Sequence, residues 1–246
     1  MATKYLLTIP AKNEETTICK VISNFLFFAK SNGIDLSIQV VDDHSTDDTY
    51  SKASSTVANV ISNNNKQGLA FCFREEMVSA LKTNADVIIH TDADGQYSPL
   101  DLMSLIQKYH EGFDLVLGNR LLNQPEGMSN IRYKGNILLS QLISELINIK
   151  IYDSQTGYRV FSRRIAEEIT IISKFTYTQE QIIRAAHLNF KIAEIPIRFF
   201  SRPDKKSRLM RSPFEYLQKV AEDLEHIVAD IYPELLEYSS KEDVLK

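Results

Sequence analysis

Two pairs of aspartates close apolar runs in this chain: Asp42 and Asp43 end "LSIQVVDD", and Asp92 and Asp94 end "DVIIHTDAD". Carboxylate oxygens suit hard cations such as Mg²⁺ or Mn²⁺, which bridge a few acidic side chains to substrate phosphates. One such pair is often no more than a cap on a turn or helix; two pairs along one rim argue for a site. Three chemistries compete for the string "DADGQ". A calcium loop with Gly95 sixth and Asp101 twelfth would begin on His90 and follow a strand instead of a helix, so it fails. An aspartyl-nucleophile phosphatase carries Thr or Val after Asp-x-Asp-Gly on the first strand of its domain, whereas Gln96 follows here and three strand-helix units come before. A metal-held nucleoside diphosphate-sugar site is the reading that uses the rest of the chain.

Other titratable groups are less specific. Between residues 198 and 211, Arg198, Arg202, Lys205, Lys206, Arg208 and Arg211 stand against a single Asp204. That basic run suits a solvated loop, a lid over a diphosphate, or a patch for anionic lipid headgroups. His44, His90, His110, His187 and His226 have no ligand-like spacing and are read as incidental. Cys19 and Cys72 lack CxxC spacing. A net charge of −4 argues against a general nucleic-acid binder. The start "MATKYLLTIP" lacks the apolar segment of a signal peptide, and no run reaches the ~18–20 apolar residues of a membrane span. These features predict a cytoplasmic chain with reduced thiols that meets a membrane only at its surface.

The residues that must position this chemistry follow a regular rhythm. At 43% hydrophobic, 246 residues can bury one large α/β domain with a C-terminal elaboration. "KYLLTIP", "LSIQVVDD", "NVIS", "DVIIHTD" and "FDLVLGN" have the length and composition of buried strands. Between them, Ile18, Val21, Ile22, Phe25 and Ala29 recur at helical spacing, and further helices follow "STDD", "NNNKQG" and Ser98-Pro99. Such alternation predicts a mostly parallel, Rossmann-like sheet covered by helices on both faces. Aspartates at strand ends would then share the carboxyl rim where ligands of such sheets bind. Beyond Arg120, the spacing predicts a helix over 136–151 with one narrow polar stripe (Ser140, Gln141, Ser144, Glu145, Asn148), buried by neighbours or facing a membrane or a second copy in a homodimer. "TGYRVF" and "FKIAEIPIRFF" are further strands around a helix at 178–188, and residues 214–231 form a last amphipathic helix. The chain divides into a domain at 1–211 and an amphipathic helix with a polar tail at 212–246.

Six blocks in order resemble family 2 glycosyltransferases of the GT-A fold, and among them the dolichyl- or polyprenyl-phosphate sugar transferases: "TIPAKNEETTI", "VVDDHSTDDT", "TDADGQYSPLDL", "DLVLGNR", "DSQTGYRVFSR" and "IAEIPIRFFSRPDKKSRL". The resemblance implies that Pro10, Ala11, Glu14 and Asp42 line a nucleoside pocket, and that Asp92, Asp94 and Gln96 hold a divalent ion, Mg²⁺ or Mn²⁺, on the donor diphosphate. It implies that Arg120 and Arg132 receive the phosphate of the acceptor, and that Arg202, Ser207 and Arg208 close over the donor. Lys205 and Lys206 depart from the Gly-acidic pair usual in that closing segment.

Sugar transfer breaks a bond from carbon to phosphate, so charge grows on the departing diphosphate, and fixed cations there speed the step. A hydroxyl acceptor needs a base, for which Asp153 is the candidate, or else Asp153 orients Arg159. A lipid monophosphate, with a second pKa of ~6, arrives already ionised and needs only guanidiniums to orient it. The expected activity is thus an inverting, metal-dependent transfer of a hexose from a GDP-mannose or UDP-glucose type donor to a polyprenyl phosphate, with the enzyme peripheral on the cytoplasmic membrane face. The alternatives are a sugar-hydroxyl acceptor, or a non-catalytic nucleotide-sugar binding protein.

Overall fold

The first apolar run forms β1 (Lys4–Ala11), whose side chains alternate between two layers: Leu6 faces one, and Tyr5, Leu7 and Ile9 face the other. The computed structural model describes residues 2–63, 66–200, 202 and 213–233. Around β1 are β2 (Asp35–Asp42), β3 (Asn59–Ser62), β4 (Val87–His90), β5 (Leu115–Asn119), β6 (Arg159–Ser162) and β7 (Ile192–Pro196), in the sheet order β3-β2-β1-β4-β6-β5-β7. All pairings are parallel except those of β6, which runs antiparallel to β4 and β5. The mostly parallel α/β sheet is therefore as expected, with one reversed strand. That reversal matters: the residues that lead into β6 arrive at the rim where β4 and β5 end.

On one face lie α1 (Ile18–Ser31) and α4 (Leu102–His110), which bury Ile18, Val21, Ile22, Phe25, Leu102 and Leu105 against Leu7, Ile89 and Val160. The other face carries α3 (Leu69–Leu81), α5 (Asn130–Ile147), α6 (Arg163–Glu168), α7 (Tyr177–His187) and α8 (Pro213–Ile231), packed on Leu6, Ile88, Leu115 and Phe161. Alternation along β4 divides the layers: Ile88 joins the second core, and Val87 and Ile89 the first. A short α2 (Thr49–Ser54) follows β2.

The helix expected over 136–151 begins and ends earlier. Ser129 caps α5 by accepting the Arg132 N–H, and Asn148 stops it in a left-handed conformation (φ 52°). Of its polar stripe, Ser140 and Ser144 turn inward while Gln141, Glu145 and Asn148 are exposed. Ser140 Oγ accepts the Ser154 N–H at 2.9 Å, and Ser144 Oγ bonds both polar groups of the Ile151 backbone. The outward face also shows Ile131, Leu138 and Leu142, 74%, 58% and 53% exposed. No helix among the described residues is long and apolar enough to cross a membrane.

The last helix lies where its periodicity predicts, and joins the second core through Val220, Ile227 and Ile231. Asp223 shares that buried stripe because its carboxylate accepts the N–H groups of Lys174, Phe175 and Thr176 at 2.8–3.2 Å, together with the Thr176 hydroxyl. The segment ahead of α7 thus depends on α8 for its backbone partners. Asp223→Ala strands these donors, so it should cost ~2–3 kcal/mol in urea unfolding. Asp223→Asn, which keeps one acceptor, should recover part of the loss.

Candidate active site

The carboxyl rim of β1, β4 and β5 opens into a cleft of about 820 Å³. Pro10, Ala11 and Glu14 line it from the end of β1, Asp92, Asp94 and Gln96 from the loop after β4, Arg120 from the end of β5, and Arg132 and Asn136 from α5. Gly157 enters from the lead-in to β6, and Arg202 from beyond β7. Most of the residues singled out from sequence therefore meet in one cavity, though they come from the whole length of the chain.

The acidic end is built on Asp92 and Asp94. Asp94 Oδ1 accepts the Gln96 N–H at 3.0 Å, which fixes the turn through Gly95. Burial pushes the Asp94 carboxyl up to about 6, with the neighbouring Asp92 charge adding to the effect. Burial raises Asp92 as well, opposed by the cationic His90, Arg120, Arg159 and Arg202. Arg202 donates to Asp94 Oδ2 at 3.2 Å and to both oxygens of Glu14. Two shielded carboxylates that repel one another fit a divalent cation. Among the described residues no third His, Cys, Asp or Glu groups with them as a metal site. Two protein carboxylates, with substrate phosphates supplying other ligands, is the usual pattern for Mg²⁺. Gln96 lines the cleft, yet its Nε2 donates to the Phe200 carbonyl at 2.7 Å and its own carbonyl accepts the Phe200 N–H. Its amide thus ties the chain leading to Arg202 onto the aspartate loop.

At the end of the cleft beside β1 and β2 the wall carries Asp43 and not Asp42. Asp42, the last residue of β2, points into the structure and accepts the Ser45 N–H at 3.2 Å, while its Oδ1 has no hydrogen bond among the described residues. Asp43 accepts the Gly68 N–H and Asn63 Nδ2, and pairs with Lys12 at 3.7 Å. Successive residues leaving a strand face opposite ways, which the doubled "DD" conceals.

The cationic end corrects the reading of Asp153. This residue is fully buried, and Arg120 takes both of its oxygens: Nε to Oδ2 at 2.7 Å and Nη2 to Oδ1 at 2.8 Å, with the Arg120 N–H on Oδ2 at 3.0 Å. A carboxylate held in a bidentate fork is a poor general base. Nor does it orient Arg159, which is fully buried among neutral acceptors: the carbonyls of Ser154, Thr156 and Thr178, and Gln181 Oε1. Burial lowers the Arg159 guanidinium to about 10. Burial and the nearby Arg120 charge likewise lower Arg132. Among the described residues no acidic side chain forms an ion pair with Arg132, although Glu126 also lines the cleft and the Asp153 charge acts on Arg132. Tyr216 of α8 and Phe175 close the wall beside it, their rings 5.5 Å apart.

Of the basic run, Arg198 is spent on Asp101 (Nη2 to Oδ1, 2.6 Å) and Arg202 alone is seen in the cleft. Ser207, Arg208, the other lysines and arginines of that run, and the polar tail from 234 lie outside the described residues. Sequence reading places Asp43 on the rim but gives the nucleoside role to Asp42, and it singles out none of Tyr97, Gly157, Phe199 and Tyr216. Tyr97 Oη accepts the Gly157 N–H at 2.8 Å across 60 positions of chain, a contact with no local signal.

The cationic end can be tested in two ways. Asp153→Asn leaves the Arg120 charge buried without its partner, so unfolding free energy should fall by about 3–5 kcal/mol; lost activity at unchanged stability would restore Asp153 as the base. Glu194 on β7 accepts the N–H groups of Tyr152 and Asp153, and burial raises its carboxyl from 4.5 to about 7. The folded chain thus holds this proton more tightly than the unfolded chain, and the contribution of Glu194 to stability falls as pH rises from 4.5 toward 7. Urea midpoints measured across that window should lose this slope in Glu194→Gln.

Comparison with known proteins agrees with this arrangement. The family model for glycosyl transferase family 2 matches residues 7–170. The chain is 30% identical over 222 residues to a UDP-N-acetylglucosamine–dolichyl-phosphate N-acetylglucosaminyltransferase of Methanococcus voltae, covering 80% of this chain and 86% of that one. It is 27% identical over 197 residues to the glycosyltransferase AglJ of Haloferax volcanii, covering 79% of this chain but only 62% of that protein's length. In fold it matches the glucosyl-3-phosphoglycerate synthase of Mycobacterium tuberculosis, solved with Mn²⁺, uridine diphosphate and phosphoglyceric acid, at a TM-score of 0.70 and 18% identity over 93% of this chain and 78% of that one. With its aspartate loop, its cationic wall and the parallel sheet that joins them, the chain belongs to glycosyl transferase family 2.

Proposed function

We propose that this chain transfers a hexose, with inversion, from a nucleoside diphosphate sugar to a polyprenyl phosphate at a membrane surface. The observation that carries the reading is the polarity of this cleft: two repelling carboxylates at one end, and at the other Arg132, with which no described acid forms an ion pair, beside Arg120. The first end suits a cation-bound diphosphate and the second an anionic acceptor.

Asp92 and Asp94 would hold Mg²⁺ or Mn²⁺, which when bound offsets the charge growing on the leaving diphosphate. Arg202, now shared by Glu14 and Asp94, is within reach of that diphosphate and adds a second cation there. Pro10, Ala11 and Asp43 border the space for the nucleoside. At the far end Arg132 and Arg120 orient the acceptor phosphate, Arg120 being held rigid by Asp153. No base is needed for a phosphomonoester, and the engagement of Asp153 counts against the sugar-hydroxyl alternative. The named acceptor of the Methanococcus voltae relative, dolichyl phosphate, supports the same choice. The exposed Ile131, Leu138 and Leu142 lie on the helix that presents Arg132 and Asn136 to the cleft, which suits an enzyme resting on the membrane that holds its acceptor. That membrane face is taken to be the cytoplasmic one.

The test is transfer from GDP- and UDP-sugars to polyprenyl phosphate in vesicles with Mn²⁺. Asp94→Ala should lower turnover by on the order of 10²-fold or more while the melting temperature holds; near-normal turnover would sink the proposal. Arg132→Ala should raise the KM for the lipid by roughly 10- to 100-fold, the loss of one charge-assisted hydrogen bond, with donor binding unchanged. Indifference to Arg132 would point to a hydroxyl acceptor.

A further inference from the structure

Beneath the cleft, the core holds a polar pair that packing alone does not require. Glu76 of α3 and His90 of β4 are both fully buried, with His90 Nε2 3.3 Å from Glu76 Oε2, a close contact outside hydrogen-bond geometry that leaves both Glu76 oxygens without another described partner. Phe73 and Tyr177 pack their rings against the imidazole at 5.4 and 5.8 Å. Removing two such groups from water is unfavourable, and an apolar pair of similar volume usually fills the same space at least as well. Glu76 and His90 therefore call for a reason beyond packing.

That reason lies at the other ring nitrogen. His90 Nδ1 is 2.6 Å from the Gly157 carbonyl oxygen, and since a carbonyl only accepts, Nδ1 carries the hydrogen. The N–H of the same glycine donates to Tyr97 Oη at 2.8 Å, so Gly157 is pinned through both its polar backbone groups. A Cβ at position 157 would fall 2.8 and 3.0 Å from the two oxygens of Asp92, so the bare glycine backbone is the surface on which that carboxylate rests. The register explains how the parts meet: His90 pairs with Arg159 across the antiparallel β4–β6 ladder, which brings Gly157 alongside the loop that leaves β4.

We propose that Glu76 and His90 are positioning residues for Asp92: Glu76 fixes the imidazole, the imidazole fixes the Gly157 peptide, and that peptide sets where the Asp92 carboxylate stands toward a divalent cation. The inference rests on the reading of Asp92 and Asp94 as cation ligands. It makes α3, which gives no carboxylate to the cleft, part of the support of the site.

Free Mn²⁺ measured by electron paramagnetic resonance in the presence of UDP and, separately, GDP gives the affinity of the full chain without recourse to turnover. The double variant Glu76→Met, His90→Met keeps the core filled and removes the donor to Gly157, whereas His90→Asn keeps an N–H near the Nδ1 position. The double variant should bind Mn²⁺ roughly 10- to 100-fold more weakly at an unchanged or higher melting temperature, and His90→Asn should stay within about threefold of the native chain, as expected of outer-shell support. Native affinity in the folded double variant, or equal weakening in both, would overturn the proposal. Should the double variant fail to fold, Glu76→Gln is measured in its place, and native affinity there overturns it equally. Asp94→Asn separates the two ideas. If it keeps native Mn²⁺ affinity, the cation reading of the cleft fails and this inference with it; if it loses affinity while the double variant does not, only the inference fails.

Discussion

Asp92 and Asp94 stand two residues apart at a shielded strand end, and two carboxylates so placed need compensating charge. Much of the architecture around the cleft can be understood as the answer to that constraint. Arg202 contacts Asp94 directly, while the fields of His90, Arg120 and Arg159 act on Asp92. Each cation then makes its own demand. Arg120 is held by Asp153, and the backbone at Tyr152 and Asp153 by Glu194; Arg159 is enclosed by carbonyls of the segment leading into β6 and of α7; and His90 is set by Glu76. Burial lowers the basicity of His90 and Glu76 raises it, with the balance upward. One local electrostatic problem thus recruits α3, α7, β6 and β7, which explains why so many buried polar groups lie on one face of the sheet.

The reversed strand is what makes this possible. In an all-parallel sheet the segment before β6 would sit at the opposite edge, far from the rim. Because β6 runs antiparallel to both neighbours, Gln155 and Gly157 reach the cleft just before the strand begins, with Asp153 buried behind Arg120, and the strand then descends between β4 and β5. The far wall is built differently, from α5, the segment ahead of α7, and α8. There Asp223 holds three backbone N–H groups that would otherwise lack partners, so the last described helix shapes the wall as well as the core.

How much of this is legible in sequence depends on the distance over which each feature is determined. β1, β2, β4 and the helix at 213–231 are set by local periodicity, and they lie where that periodicity puts them. Asp92, Asp94, Arg120 and Arg132 are legible because they are charged residues inside an ordered set of family blocks, and at a strand end or a helix start such a charge costs stability unless it meets a ligand or an opposite charge. The direction of β6 is not legible, since periodicity is the same for either sense of a strand. The start of α5 is hidden because its first turn, "NIRYKG", has Arg, Lys and Gly where an apolar stripe would mark a helix. Its inward-facing serines reverse the usual rule, satisfied by Ser154 and Ile151 from a loop whose position only the fold decides. His90 reads as incidental for the same reason: its partners, Glu76 and Gly157, are 14 and 67 positions away, and no local pattern links either of them to it.

The commitment of Asp153 also bears on what kind of acceptor this cleft can use. A neutral hydroxyl attacks well only if a carboxylate or imidazole takes its proton in the transition state. Asp153, the acid paired with the cationic wall, is bound through both oxygens to Arg120, and giving up that fork for a proton would leave a buried guanidinium unpaired. Proton removal here would thus have to overcome the same interaction that shapes the wall. An acceptor that arrives already ionised avoids the conflict, and its charge is what Arg132, in an ion pair with no described acid, can meet. Under the proposed reading, the salt bridge that removes a base from the cleft and the arginine that has no described ion-pair partner are two sides of one selection for an anionic nucleophile.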